Sequence, residues 1–172
     1  MDVESERLRL HPLTVDEAAR IVRQDRRPGE LWASGFPTVE QVDFLMAFIA
    51  DSAARRDPGV FGLFVVTRIE DSLVIGGAGF FGPPDEFGAV EVVVELDRSV
   101  RRLGYGSEII EALIAVARRN GADFVITSTS VANVSGQRAI ERGGLTEVVR
   151  DESIVHYAAD LRSDERRSLD DA

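Results

Sequence analysis

The hydrophobic and polar positions of the chain repeat with two different periods. Alternating or continuous β-branched and aromatic residues predict strands, because successive side chains of a strand face opposite sides. Segments of this kind are residues 7–13, 60–69, 73–81, 89–96, 124–130, 146–150 and 154–161. Apolar residues at helical spacing predict helices over residues 15–24, 39–54, 107–120 and 135–142. Thr14 with Glu17 and Thr38 with Gln41 have capping-box spacing at the first two helix starts.

The order of these elements, β-α-α-β-β-β-α-β-α-β-β, predicts an α/β (α+β) fold. We expect a mixed, mostly antiparallel central sheet with helices on both faces. The strand–helix–strand unit over residues 89–130 predicts a parallel crossover inside that sheet. Residues 1–161 are predicted to form a single domain, followed by a charged tail over 162–172 whose composition is typical of disorder.

The composition removes several classes of chemistry. All 20 basic residues among the 172 are arginine, and cysteine is absent. A lysine Schiff base, a Walker lysine, a thiolate nucleophile and a thiolate zinc site are therefore excluded. His11 and His156 lie far apart in the sequence, so no metal centre is expected. Any catalysis relies on carboxylates, hydroxyls, backbone amides and a borrowed cofactor.

The charge balance bears on partners and location. A net charge of −10 and a pI of about 4.7 argue against nucleic-acid binding, and suit either a cationic substrate or a solubilising surface. No apolar stretch approaches the ~20 residues that span a bilayer. The acidic start of the chain, with Asp2, Glu4 and Glu6, does not match a signal peptide. We expect a cytoplasmic protein, monomeric or homodimeric, that does not bind membranes.

Two glycine motifs could bind phosphate, but only one has the required context. Gly77-Ala-Gly79-Phe-Phe-Gly82 matches the dinucleotide fingerprint by letter, yet it ends a strand and no helix follows. We interpret it as a kinked strand end or bulge. Arg101-Arg-Leu-Gly104-Tyr-Gly106 lies between a predicted strand and a predicted helix. Glycine turns and a helix N-terminus there can direct backbone N–H groups at an anion without any lysine.

Arg101-x-x-Gly104-x-Gly106 resembles the Q/R-x-x-G-x-G/A signature of the GNAT (GCN5-related) N-acetyltransferases. Glu91 stands where many members carry a strand glutamate, and the segment from Asn133 to Leu145 is similar to the family's N-x-x-S-x-r-v-l-e-k-x-G-F segment. The residues that follow Gly104 are closest to the ribosomal-protein N-terminal acetyltransferase branch.

The chain departs from this family at three positions. The family serine falls on Gly136, the final phenylalanine is Leu145, and the tyrosine that serves as general acid in some members is Ile140. Protonation of the leaving thiolate by tyrosine therefore cannot be carried over.

The resemblance implies acetyl-CoA, or another acyl-CoA, as the donor and no metal. It implies that the pyrophosphate sits on the backbone amides of Arg102, Leu103, Gly104, Tyr105, Gly106 and Ser107, with Arg101 at the entrance. The backbone near Val94 and Leu96, together with Asn133, would hold the pantetheine arm. Arg138 would contact the adenosine phosphate, or else be a solvated helix residue.

The implied reaction is direct attack of an amine on the thioester, without a covalent enzyme intermediate. Glu91 is the first candidate for the base that collects the amine proton, and Glu95, on the same face of the strand, is the second. Either glutamate could instead face solvent or pair with an arginine. Trp32 and Phe36 lie in the stretch that borders the acceptor site in this family, although packing in the core is an alternative role for them.

Three functions are consistent with the sequence. The first is an N-acetyltransferase that acts on a primary amine of a small molecule or a protein N-terminus. The second is a GNAT-fold protein that binds acyl-CoA as a sensor or partner module without efficient turnover. The third is a plain α/β domain whose glycine loop binds another phosphorylated ligand.

Overall fold

The structure, a computed structural model, describes residues 1–54 and 59–162. The tail predicted over 162–172 lies outside the described residues, except for Arg162. The strands are β1 (Val3–Glu4), β2 (Leu8–Pro12), β3 (Leu31–Trp32), β4 (Leu63–Arg68), β5 (Leu73–Phe80), β6 (Ala89–Leu96), β7 (Phe124–Ser130), β8 (Thr146–Arg150) and β9 (Ile154–Asp160). The α-helices are α1 (Val15–Val22), α2 (Val39–Ala54), α3 (Tyr105–Arg119) and α4 (Val134–Arg142).

Every predicted strand and helix is present, and two short strands were not predicted. β1 and β3 contain two residues each, which is too few to show a period in the sequence. β1 pairs with β2, and β3 adds to β5 in parallel. Both predicted capping boxes form: Thr14 and Glu17 exchange hydrogen bonds at the start of α1, and Thr38 and Gln41 do so before α2.

The strands form one sheet in the order β1-β2-β4-β5-β6-β7-β9-β8. Most neighbouring strands in this order are antiparallel, and β6 and β7, which α3 connects, are parallel. The predicted mixed, mostly antiparallel sheet is therefore confirmed. β5 ends at Phe80 and leads into a loop rather than a helix, so its glycine motif lacks the context of a dinucleotide site.

Apolar residues on the two faces of the sheet form two cores, so helices cover both faces as predicted. On one face, α1 and α2 pack over Leu63 and Val74. On the other face, α3 and α4 pack over the alternate residues of β4 to β7 and β9. The apolar side of α3 predicted from the sequence, including Ile109 and Leu113, is fully buried there.

The sheet opens between its two parallel central strands. β6 and β7 pair only from Ala89 opposite Phe124 to Glu91 opposite Ile126. One further contact follows, in which the Thr127 hydroxyl donates to the Val92 carbonyl at 2.9 Å. Beyond Val92, β6 continues to Leu96 without pairing to β7. The carboxyl end of β6 therefore borders an opening in the sheet, and the loop into α3 begins at that end.

Candidate active site

The glycine loop after β6 forms a concave turn that leads directly into α3. Asp97 caps a short 3-10 turn over Arg98–Val100, and Gly104 is the N-cap of α3. Arg102 and Gly104 both have positive φ, 65° and 83°, a backbone conformation that glycine adopts without strain. Gly104 has no side chain to satisfy the first amides of the helix, which leaves them open to a ligand.

The backbone amides of this loop are unused by the protein. Within the described residues, no N–H group from Arg102 to Ser107 donates to a protein acceptor; the Glu108 amide is the first that does, to the Gly104 carbonyl at 3.3 Å. Unpaired amides at a helix N-terminus, combined with the helix dipole, favour an anion. These residues therefore fit a pyrophosphate group. We call Arg102–Ser107 the amide cradle.

Two residues that the sequence analysis did not assign to the site hold the cradle in place. The Arg7 guanidinium donates to the Leu103 carbonyl at 2.9 Å and lies 4.6 Å from the centre of the Tyr105 ring. Its Nε and its backbone amide both donate to Glu108 at 2.8 Å. Burial alone would raise the pKa of Glu108, but hydrogen bonds from Ser5 and Arg7 lower it overall. Tyr105 is buried, so only its backbone belongs to the cradle.

Arg101 does not extend freely beside the cradle. Its guanidinium donates to Glu95 at 2.6 Å and to the Leu96 carbonyl at 3.1 Å. Burial raises the pKa of Glu95 above its usual value, although the positive charge of Arg101 acts in the opposite direction. The structure therefore places a half-buried carboxylate, held by an arginine, at the end of β6.

The backbone of β6 alternates in the direction of its hydrogen-bonding groups. On the β5 side, the backbone carbonyl of Glu91 accepts a hydrogen bond from the Phe81 N–H, and the N–H of Asp97 donates to the Ile75 carbonyl. Because the pattern of an antiparallel ladder alternates, even-numbered positions point towards β7. Val94 is therefore positioned with its N–H and C=O facing the opening in the sheet, whereas the Leu96 carbonyl already accepts from Arg101.

Asn133 and Arg138 lie across the opening, on the segment that follows β7. Asn133 is the N-cap of α4. Its side-chain carbonyl accepts from the Gly136 backbone N–H at 3.1 Å, and its side-chain NH₂ donates to the Thr129 hydroxyl at 3.0 Å. Both of its polar groups are thus used within the protein. Arg138 is exposed on α4. A Cβ at Gly136 would collide with the Asn133 side chain as it is placed here, so this first turn of α4 suits glycine.

A narrow apolar cleft lies between α2 and the face of β4–β6 that α1 and α2 cover. Its volume is about 30 Å³. Glu95 and Gln41 supply the polar side chains of its wall. The buried Gln41 side chain also donates to the Glu95 carbonyl at 2.7 Å, which ties α2 to the end of β6. The cleft therefore ends at the same carboxylate that Arg101 holds.

The structure separates the other predicted acceptor and base residues. Phe36 lines the cleft, whereas Trp32 is buried beside it with the two rings edge to face at 5.1 Å. Glu91 shares the face of Glu95 but is exposed and does not line the cleft. Of the two predicted carboxylates, Glu95 is the one that lines the cleft and bonds to Arg101, the residue before the cradle.

The tyrosines lie away from this cleft. Ile140 is buried in the core under α3 and α4, and Tyr105 and Tyr157 belong to the same core. The Tyr157 hydroxyl donates to Glu141 at 3.4 Å. A proton for a leaving thiolate would therefore have to come from water or from the protonated base.

No described helix is long and apolar enough to cross a bilayer. Among the described residues, no three His, Asp or Glu side chains are grouped so that they could hold a metal ion.

Comparison with known proteins identifies relatives with this fold. A curated relative, the uncharacterized N-acetyltransferase YjdG of Bacillus subtilis, is 29% identical over 85 residues, which span 49% of this chain and 51% of the relative. The chain thus matches about half the length of that relative. A ribosomal-protein-serine acetyltransferase structure from Vibrio cholerae aligns over 93% of this chain and 97% of its own, with 18% identity and a TM-score of 0.64.

The structure of RimL, a ribosomal L7/L12 alpha-N-protein acetyltransferase in complex with coenzyme A, aligns over 93% of this chain and 98% of its own. The identity is 14% and the TM-score is 0.66, which shows a shared fold. The acetyltransferase (GNAT) domain model matches residues 7–146, most of the described chain. The chain therefore belongs to the GNAT acetyltransferase family, as its glycine loop and element order predicted.

Proposed function

We propose that this protein transfers an acetyl group from acetyl-CoA to a primary amine of a small molecule or a protein N-terminus. The observation that carries the proposal is the amide cradle beside an opening in the sheet, with the half-buried Glu95 at the same strand end. The fold shared with RimL, a ribosomal L7/L12 alpha-N-protein acetyltransferase, supports including a protein N-terminus among the proposed acceptors.

The residues around the opening in the sheet would bind the acetyl-CoA donor. The amides of Arg102–Ser107 would bind the pyrophosphate, and the backbone of Val94 would pair with the pantetheine arm. Asn133 would hold the start of α4 beside the pantetheine arm by capping that helix, because its own side-chain amide is already bonded within the protein. The donor supplies a thioester, whose carbonyl carbon is the electrophile. The exposed Arg138 remains available to an adenosine phosphate.

The acceptor must lose a proton before or during attack. A lysine-type amine with a pKa of ~10.4 costs ~4.6 kcal/mol to deprotonate at pH 7, whereas an α-amino group near 7.7 costs only ~1 kcal/mol. The amine nitrogen forms a bond to the carbonyl carbon, the carbon–sulfur bond breaks, and the amine proton passes to a base. We assign this base to Glu95, since its raised pKa brings it closer to neutral pH and it lines the cleft. Glu91, exposed one pleat away, is the alternative.

A second candidate function is binding of acyl-CoA without efficient turnover. It is favoured by the position of Ile140, because no tyrosine hydroxyl lies at the cleft to protonate the leaving thiolate. Two measurements are needed, because both functions include binding of acetyl-CoA and only the first includes release of its thiol. Stabilisation by acetyl-CoA tests the cradle, and ~100-fold excess over Kd adds ~2.7 kcal/mol to stability. Thiol release over a panel of amines then separates an enzyme, which releases CoA, from a binding protein, which does not.

A further inference from the structure

One glycine in the middle of β5 has no backbone requirement to explain it. Gly79 has a φ of 150°, and a side chain there would meet the Gly62 carbonyl at 2.5 Å. Gly76 is crowded by the Glu95 carbonyl. A Cβ at Gly77, in contrast, would meet only the Phe64 carbonyl, at an ordinary 3.5 Å, and its φ is not positive. Glycine weakens a strand interior, so its presence there calls for another reason.

The position of Gly77 in the sheet supplies that reason. Its cross-strand partners are Val65 on β4 and Glu95 on β6, so all three face the side covered by α1 and α2. Gly77, Val65 and Glu95 all line the apolar cleft. The missing side chain leaves room directly between a valine and the carboxylate assigned as the base.

The walls of the cleft are otherwise apolar. Phe36 and Phe44 from the helical side face Val65 and Val93 from the sheet, and the Gln41 side chain is already bonded to the Glu95 carbonyl. Once the reacting amine occupies Glu95, a second charge or a hydroxyl on the ligand would lose its hydration in this space without gaining a partner. The leading carbons of a slim, unbranched alkyl chain would fill it, since a volume of about 30 Å³ holds only ~2 water-sized groups and excludes bulky ones.

We propose that the acceptor carries its amine on a small apolar body, and that Gly77 makes the room for that body beside Glu95. This inference rests on the proposed acetyl transfer and adds the chemical class of the acceptor to it. It also gives a role to the glycine motif that resembles a dinucleotide fingerprint only by letter.

The test compares n-butylamine with 3-aminopropan-1-ol, which has nearly the same shape but ends in a hydroxyl. With acetyl-CoA as donor, we expect kcat/KM for n-butylamine to exceed that for the amino alcohol about tenfold or more. Gly77→Ala should lower the value for n-butylamine by a similar factor and leave methylamine, which has no body to accommodate, nearly unchanged. In the double variant Gly77→Ala/Val65→Ala, the smaller side chain at position 65, directly opposite position 77, makes room for the added methyl group. This variant should recover most of the loss. Equal rates for the two amines, or an equal loss for methylamine, would overturn the inference.

A binding measurement separates this inference from the proposed function. Stabilisation of Gly77→Ala by acetyl-CoA, measured as for the wild type, first shows that the variant is folded. If no amine releases thiol, acetyl transfer fails, and saturation-transfer NMR of n-butylamine then tests the cleft alone. A signal from the wild type that weakens in Gly77→Ala supports the cleft as an apolar amine site, whereas no signal, or one that the variant leaves unchanged, refutes it.

Discussion

Arg101 and Glu95 form an ion pair of 2.6 Å that joins the residue before the amide cradle to the end of the apolar cleft. The arginine leads into the cradle, and the glutamate is the half-buried carboxylate of the cleft. Because burial raises the pKa of Glu95 and Arg101 restrains that rise, the pair adjusts how readily the carboxylate accepts a proton.

Replacement of this carboxylate should separate catalysis from donor binding. We expect Glu95→Gln to lower kcat by ~10²-fold or more, which is the range for loss of a general base. Stabilisation by acetyl-CoA should persist, since the cradle amides are unchanged. Glu91→Gln, on the same strand face but outside the cleft, is the matched control and should cost only a few-fold. The reverse ranking of the two variants would transfer the base assignment to Glu91.

The pH dependence of Arg101→Met tests the ion pair itself. Glu95 must be ionised to act as a base, so activity rises with pH through its pKa. Removal of the arginine charge should raise that pKa further and shift the acid limb of kcat/KM to higher pH. The profile should be recorded with an amine of low pKa, so that titration of the acceptor does not hide the limb. An acid limb that stays in place would show that Glu95 is not the group observed.

The backbone conformation of Gly104 allows strain to be distinguished from ligand binding. Gly104→Ala forces an alanine to a φ of 83°, which costs ~1–2 kcal/mol, and places its Cβ 3.3 Å from the flexible Arg7 guanidinium at the N-cap of the cradle helix. Gly121→Ala imposes a similar strain at a φ of 79°, in open space beyond the other end of α3. We expect similar losses of stability by denaturant unfolding, but weaker binding of acetyl-CoA by calorimetry in Gly104→Ala alone. Equal affinities would argue against the cradle as the donor site.

Arg7 should act as a positioning residue for the cradle. Loss of its bonds to the Leu103 carbonyl and to Glu108 in Arg7→Ala should weaken acetyl-CoA binding about tenfold, or ~1.4 kcal/mol. Arg9→Ala is the control, because Arg9 lies two residues further along, on β2, and pairs with Glu4 instead. The readout is the Kd for acetyl-CoA, since a purely structural role would lower the melting temperature without changing affinity in the folded state. An unchanged Kd would remove Arg7 from the site.

Asp97 should make folding stability sensitive to acid. Burial would raise the pKa of Asp97, but hydrogen bonds from Ser99 and Gly35 bring it below the usual value. A depressed pKa in the folded state adds stability that is present above the unfolded-state pKa of ~3.9 and is lost as pH falls through the folded-state value. Urea unfolding of the wild type at pH 7 and near pH 3 should therefore show a larger loss than in Asp97→Asn. Equal losses would contradict the assignment.

The elements of the fold were predictable because period and capping are local properties. Thr14 with Glu17, and the apolar side of α3, specify their structures within a few residues. The glycine loop was also predictable from the sequence, since the strand, the glycine turn and the start of the helix follow one another along the chain. Contacts between distant segments were not: the Arg7–Glu108 pair joins residues 101 positions apart, and no local pattern indicates it.

The acceptor side shows the same limit at the level of single residues. Trp32 and Glu91 are predicted from their positions in the sequence, and only the fold shows that Trp32 is buried and that Glu91 lies outside the cleft. Gly77 was part of a motif interpreted as structural. Its place between Val65 and Glu95 follows from strand register, which depends on a bulge at Ile75 between the pairs Thr67–Val74 and Val66–Gly76. The sequence alone does not show that register.

The most direct test of the central claim is the stoichiometry of a single reaction. The purified protein, acetyl-CoA and n-butylamine are incubated, and free thiol, N-acetylated amine and the intact mass of the protein are measured together. Direct transfer predicts one acetylated amine for each thiol released, an unmodified protein mass, and loss of both products in Glu95→Gln. Thiol release without acetylated amine, an acetylated protein as an intermediate, or no reaction with n-butylamine or with the other amines of the panel would contradict the account.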